Sequence, residues 1–66
     1  MKLKIIRNFS FVIQVTEEKD EVETFKKGDI HDVDLLDDYR TVVDIQFGDG
    51  SVAYSFPKDA FEIIEE

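Results

Sequence analysis

Residues 42–56 read VVDIQFGDGSVAYSF, two apolar runs joined through Gly48-Asp49-Gly50. Asp-Gly between alternating apolar residues is the strongest short-range signal for a β-hairpin, because a type I′ reversal needs positive φ at both central positions. Glycine adopts that conformation without steric cost, and aspartate tolerates it better than most residues. With Asp49 and Gly50 at the tip, Phe47 faces Val52, Ile45 faces Tyr54 and Val43 faces Phe56. These six share one face, and the other face carries Gln46 with Ala53 and Asp44 with Ser55. A slip of one residue would scatter the apolar set over both faces, so the pairing is well specified. Gly48 beside the turn leaves room for a bulge, and hence for a longer loop.

Working outward, Ile30 to Leu36 reads as the preceding strand, turning through Asp37-Asp38-Tyr39-Arg40 into the hairpin. Setting Leu35 opposite Val43 and Val33 opposite Ile45 continues the buried face, and it places Asp34 against Asp44, an unfavourable like-charge pair. Ile30 is out of phase with Val33 and Leu35, so a kink or bulge is expected near Asp32. On the other side, Pro57 cannot donate to a sheet and ends its strand. Lys58-Asp59-Ala60 is expected as one 3₁₀ turn. Phe61 to Ile64 then forms a last strand with Phe61 and Ile63 inward.

Near the start, Leu3, Ile5, Phe9, Phe11, Ile13 and Val15 alternate with polar residues, broken only at Arg7. Period-two alternation describes a half-buried strand, or two strands with a bend near Arg7. One long, bent strand is the expectation. Residues 16–28, TEEKDEVETFKKG, read as a polar loop. Val22 and Phe25 are too few apolar anchors for a packed helix, so the stretch is an irregular arm with Phe25 tucked inward.

The chain has 66 residues and a net charge of −8, with no cysteine. That length allows one domain, residues 1–66, burying only about 60% of the surface its unfolded chain exposes. Neither a disulfide nor a thiolate metal site can staple so small a core. Lys2, Lys4 and Arg7 interrupt the first apolar run, unlike a signal peptide. No apolar run reaches the roughly 20 residues a membrane helix needs. A soluble, cytoplasmic protein is expected.

The charge is unevenly placed. Residues 1–16 carry three bases and no acid, and residues 17–66 carry five bases against all sixteen acids, a net of −11. Phosphate backbones and anionic membranes both call for a basic face, so direct binding to nucleic acid or membrane is disfavoured. The charge serves solubility, or it recruits a cationic partner.

The run FKKGDIHDVDLLDD, the Asp-Gly hairpin and SFPKDAFEIIEE together resemble the SH3 domain. Phe25, Gly28, Asp29, Phe56, Pro57 and Phe61 occupy matching positions, and the likeness covers residues 25–66. It implies an all-β fold, a five-stranded SH3-like barrel of antiparallel strands with one 3₁₀ turn before the last strand. Tudor-like and KOW-like barrels share the Gly-Asp strand start. The family's peptide groove is built of aromatic ridges. Here there is no tryptophan, Ala60 holds the 3₁₀ tyrosine position, Val42 and Val43 lie near the tryptophan position, and alternation sends Phe9 and Phe11 to the core. Polyproline recognition needs aromatic walls, so a polyproline ligand is not expected.

No catalytic constellation is visible. His31 is the sole histidine and reads as a strand residue rather than a base or ligand. Asp32, Asp34, Asp37 and Asp38 fail the EF-hand pattern, whose sixth and twelfth positions fall on Asp37 and Val43 instead of Gly and Glu. Gly48-Asp49-Gly50 lacks the lysine and helix of a phosphate loop. Sixty-six residues leave little room for an enclosed pocket of about 300 Å³. An enzyme is not expected, and no cofactor or metal is implied.

The leading expectation is a non-enzymatic acidic module that binds a basic patch on a protein partner. Its contact residues would be Glu17, Glu18, Asp20, Glu21 and Glu23 on the arm, with Asp37, Asp38 and Tyr39 on the turn. The alternative is an inhibitor imitating nucleic acid, of the kind mobile elements carry, which requires acids in a continuous double row. A third reading is a homo-oligomer joined through an exposed strand edge, Lys2 to Ile6 or the last strand.

Overall fold

A computed structural model describes residues 1–65. Among them are seven antiparallel strands: β1 (Lys2–Ile5), β2 (Phe9–Thr16), β3 (Lys19–Phe25), β4 (Ile30–Asp38), β5 (Val42–Phe47), β6 (Val52–Pro57) and β7 (Phe61–Glu65). They form one sheet in the order β3-β2-β6-β5-β4-β1-β7, with the 3₁₀ turn Lys58–Ala60 before the last strand. The expectation of five strands closed into a barrel is corrected on both counts. The first strand splits in two and the arm adds one more, and β3 and β7 are edges of a sheet that does not close.

The central hairpin forms, but with a three-residue loop. Gly50 N–H donates to the Phe47 carbonyl at 3.0 Å, Phe47 N–H donates to the Ser51 carbonyl at 2.8 Å, and Gly50 takes φ +93°. This is a type I turn followed by a left-handed residue, the usual three-residue hairpin loop. Asp49 Oδ1 accepts both the backbone N–H and the hydroxyl of Ser51, at 3.0 and 2.6 Å, which satisfies the one buried polar residue of the core.

The extra loop residue moves the register by one, so Gln46 faces Val52 and Ile45 faces Ala53. Ile45 therefore does not face Tyr54: Ala53 is fully buried, and Tyr54 is 56% exposed. A bulge restores the original register, with Tyr54 and Ser55 together opposing Asp44, so that Val43 still faces Phe56. Ser55 sits at φ +57°, and its N–H, left without a sheet partner by the bulge, donates to Asp44 Oδ1 at 2.8 Å.

Three other expectations shift. Residues 2–16 are two strands broken at residues 6–8, not one, because they serve different neighbours: β1 lies between β4 and β7, and β2 pairs with β3. The break is tied down by Asn8 Oδ1, which accepts the Lys27 N–H at 2.7 Å, and by Arg7, which pairs with Asp59 at 3.0 Å and covers the Phe9 ring. Residues 19–25 are a strand rather than a loop, since pairing with β2 outweighs the weak strand propensity of Asp, Glu and Lys. Phe25 is buried as expected and stacks on Phe9 with ring centroids 5.2 Å apart.

In β4 the register places Val33 against Phe47, Asp34 against Gln46 and Leu35 against Ile45, with a bulge between Leu35 and Asp37 rather than near Asp32. Ile30 needs no kink, because it stands exposed on the outer face. Ile63 is 51% exposed rather than inward. It lines, with Leu35, Val43 and Phe61, a cavity of about 380 Å³ at the open end of the sheet.

Phe56 is the hub of the core. It is fully buried, and its ring lies 5.2 to 6.3 Å from those of Phe9, Phe11, Phe25, Phe47 and Phe61. Replacing a buried phenylalanine by alanine costs about 3–5 kcal/mol, comparable with the entire stability, on the order of 3–10 kcal/mol, of a chain this size. Phe56→Ala is therefore expected to abolish the cooperative thermal transition seen by circular dichroism. The bulge is checked separately. Ser55→Val, a β-branched residue at positive φ, is expected to lower stability by about 1–2 kcal/mol in urea titration, whereas Ser55→Gly is not.

Candidate interaction surface

Cross-strand pairing sorts the acids of the arm onto two faces. Glu21 pairs with Ile13 and Glu23 with Phe11, so both stand on the side that faces the core. Asp20 pairs with Gln14 and stands on the outer side, beside the exposed pair Val12 and Val22. Glu17 and Glu18 form the turn at the tip, where the Glu18 N–H donates to Thr16 Oγ1 at 3.3 Å. The five arm residues expected to act together are therefore divided.

The outer side gathers a different set. Asp20 lines a shallow concavity with Val12, Gln14 and Tyr54. Next to Tyr54, the bulge presents Ser55 to Asp44. Asp44 in turn is the cross-strand partner of Asp37. The outer face thus runs from Asp20 through Tyr54 to Asp44 and Asp37, and it joins one acid of the arm to the acids of the turn. Asp38 points elsewhere and pairs with Lys58.

Two carboxylates directly across a sheet repel. Here Tyr39 mediates between them: its hydroxyl lies 3.0 Å from Asp37 Oδ2 and 3.3 Å from Asp44 Oδ2. The like-charge pair expected at Asp34 and Asp44 is real in kind but falls on Asp37 and Asp44, because β4 runs on to Asp38 and the turn that follows sets Asp38 opposite Val43. The Asp37 hydrogen bond, together with the charge of both carboxylates, pushes the Tyr39 phenol up to about 12. Among the described residues Asp20, Asp37 and Asp44 make no ion pair.

Tyr54 and Asp44 were not singled out from the sequence. The signal was Gly48: a three-residue loop turns Ala53 inward and Tyr54 outward. Among the described residues, no group of three or more His, Asp or Glu is placed to hold a metal ion. No helix is long and apolar enough to cross a membrane.

The geometry defines a small all-antiparallel β protein with an acidic outer face. No family model matches the chain, and neither a curated protein nor a solved structure matches it at a significant level.

The Tyr39 cluster has a readable titration. A phenol whose folded pKa lies above its unfolded value contributes stability that is present below the unfolded value, near 10, and is lost as pH rises through about 12. Phenolate absorbance is expected to show the Tyr39 step near 12 in the native protein. In Asp37→Asn the step moves down towards the ordinary tyrosine range.

Proposed function

We propose that this chain is a non-enzymatic interaction module whose acidic outer face binds a basic patch on a protein partner. The observation that carries the reading is the continuity of Asp20, Tyr54, Asp44 and Asp37, three carboxylates without ion pairs among the described residues, around an exposed aromatic ring. Tyrosine supplies contact area at little entropic cost and is enriched among residues that dominate binding. Unpaired rim carboxylates steer a cationic partner and fix its register. The division of the arm's acids between two faces supports a compact patch over the continuous double row that imitation of nucleic acid requires.

The architecture we propose for this module is an SH3-like small barrel left open along one seam. Support comes from the order of its parts: a first strand, a projecting hairpin arm, the Phe25-Lys26-Lys27-Gly28-Asp29 turn, three meander strands, a 3₁₀ turn, and a last strand paired to the first. In that turn Asp29 N–H donates to the Lys26 carbonyl at 3.0 Å with Gly28 at φ +96°. This is the type II geometry that calls for glycine at its third position. Homo-oligomerisation through β1 is not part of the reading, since β1 has partners on both sides; β7 and β3 are the edges.

The test is retention on immobilised protein. A partner protein is expected to be held by the native chain at low salt and released at moderate salt. It is expected to bind roughly tenfold more weakly to the exposed-site double variant Asp20→Asn, Tyr54→Ser, a loss of about 1.4 kcal/mol. Retention that is equal for both proteins, or that ignores salt, refutes the reading.

A further inference from the structure

The side of the arm that faces the core borders a second concavity. Glu23 and Phe25 of β3, His31 and Asp32 of β4, and Phe47 and Asp49 at the central hairpin line an open cavity of about 350 Å³. Its walls are of two kinds. The half-buried rings of His31 and Phe47 lie 5.6 Å apart and form an aromatic floor, backed by the buried ring of Phe25. Glu23, Asp32 and Asp49 supply three carboxylates, and no lysine or arginine lines the cavity. The Ser51 hydroxyl and N–H hold the Asp49 carboxyl below the usual range, so it stays anionic in a fixed position. Glu23 makes no ion pair among the described residues, and Asp32 has only the N-terminal ammonium, at 3.7 Å.

A small metal ion does not fit this arrangement, because the carboxylates are not grouped as ligands. A long, flat cation does. We propose that the cavity receives an arginine side chain of a basic protein partner. The inference rests on the reading of the chain as an acidic interaction module and adds a specific receptor site to it. A guanidinium is planar and weakly hydrated, stacks on aromatic surfaces, and carries five donors that can serve separated carboxylates at once. An ammonium is a compact, strongly hydrated point charge and gains less from an aromatic floor. His31 adds a further mark: its Nε2 is buried and has no hydrogen-bond partner among the described residues.

The probes are a tri-arginine and a tri-lysine peptide, titrated into the isotopically labelled full chain and followed by nuclear magnetic resonance. With tri-arginine, the largest shifts are expected at His31, Phe25 and Phe47, accompanied by upfield movement of the arginine side-chain methylenes over the rings. Tri-lysine is expected to bind more weakly. Glu23→Gln and Asp32→Asn, both at exposed positions, are each expected to weaken tri-arginine binding by up to about fivefold. Shifts confined to Asp20, Tyr39 and Tyr54 overturn the cavity assignment and leave the outer-face reading standing. Equal affinity for both peptides, unchanged affinity in both variants, or no shifts at all also overturn it. The outer-face reading is decided separately by the retention experiment.

Discussion

The hydrogen bond from Ser55 N–H to Asp44 Oδ1 holds together two halves of the hairpin that run in different registers. A three-residue loop at Gly48-Asp49-Gly50 offsets the pairing by one residue, and side chains along a strand alternate between faces, so an uncorrected offset would send Phe56 to solvent. The bulge at Tyr54 and Ser55 absorbs the offset within one step. It costs a non-glycine residue at positive φ and one unpaired backbone donor. The Asp44 carboxylate satisfies the donor, and Phe56 returns to the interior where the other five phenylalanines meet it.

Both sides of the molecule follow from that correction. Inside, Ala53 rather than Tyr54 stands opposite Ile45, and both are fully buried. Outside, Tyr54 is delivered to the surface between Asp20 and Asp44. The second oxygen of Asp44 meets Tyr39, which links the bulge to the β4 turn. One carboxylate thus contacts both the bulge in β6 and the turn that follows β4.

Much of this architecture was legible in the residues. Asp-Gly placed the central reversal, alternation placed Leu3, Ile5 and Ile13 inside, Pro57 and Lys58-Asp59-Ala60 placed the 3₁₀ turn, and Val43 against Phe56 was assigned correctly. The failures share a cause. Period-two patterning reports which face a residue takes if the register is uniform, and it is silent about compensating shifts. Ile45 with Tyr54 was misassigned for that reason, and Val33 with Ile45 because β4 runs on to Asp38 and turns later than Asp37-Asp38 suggested. The arm failed differently: Lys19 to Thr24 has poor intrinsic strand propensity, and only a partner strand with Phe9 stacked on Phe25 makes it extended. The acids were found as residue types, but their division between two faces depends on the arm being a regular hairpin.

Three departures from local preference lie together on the outer face. Ser55 takes a left-handed conformation, Asp37 and Asp44 face each other as like charges, and Tyr54 leaves a large ring in water, all within one stretch of the outer face. Each would be relieved by a simple change: glycine at 55, a neutral side chain at 37, a smaller residue at 54. None of these changes touches Phe56 or the rest of the buried cluster. The bulge itself is required to return Phe56 to the interior, but a serine at its positive-φ position, a like charge at 37 and a large ring at 54 are not. Departures from local preference that the interior does not require are expected where a surface serves binding. That these three lie beside carboxylates that make no ion pair among the described residues is the physical reason to look for a partner there.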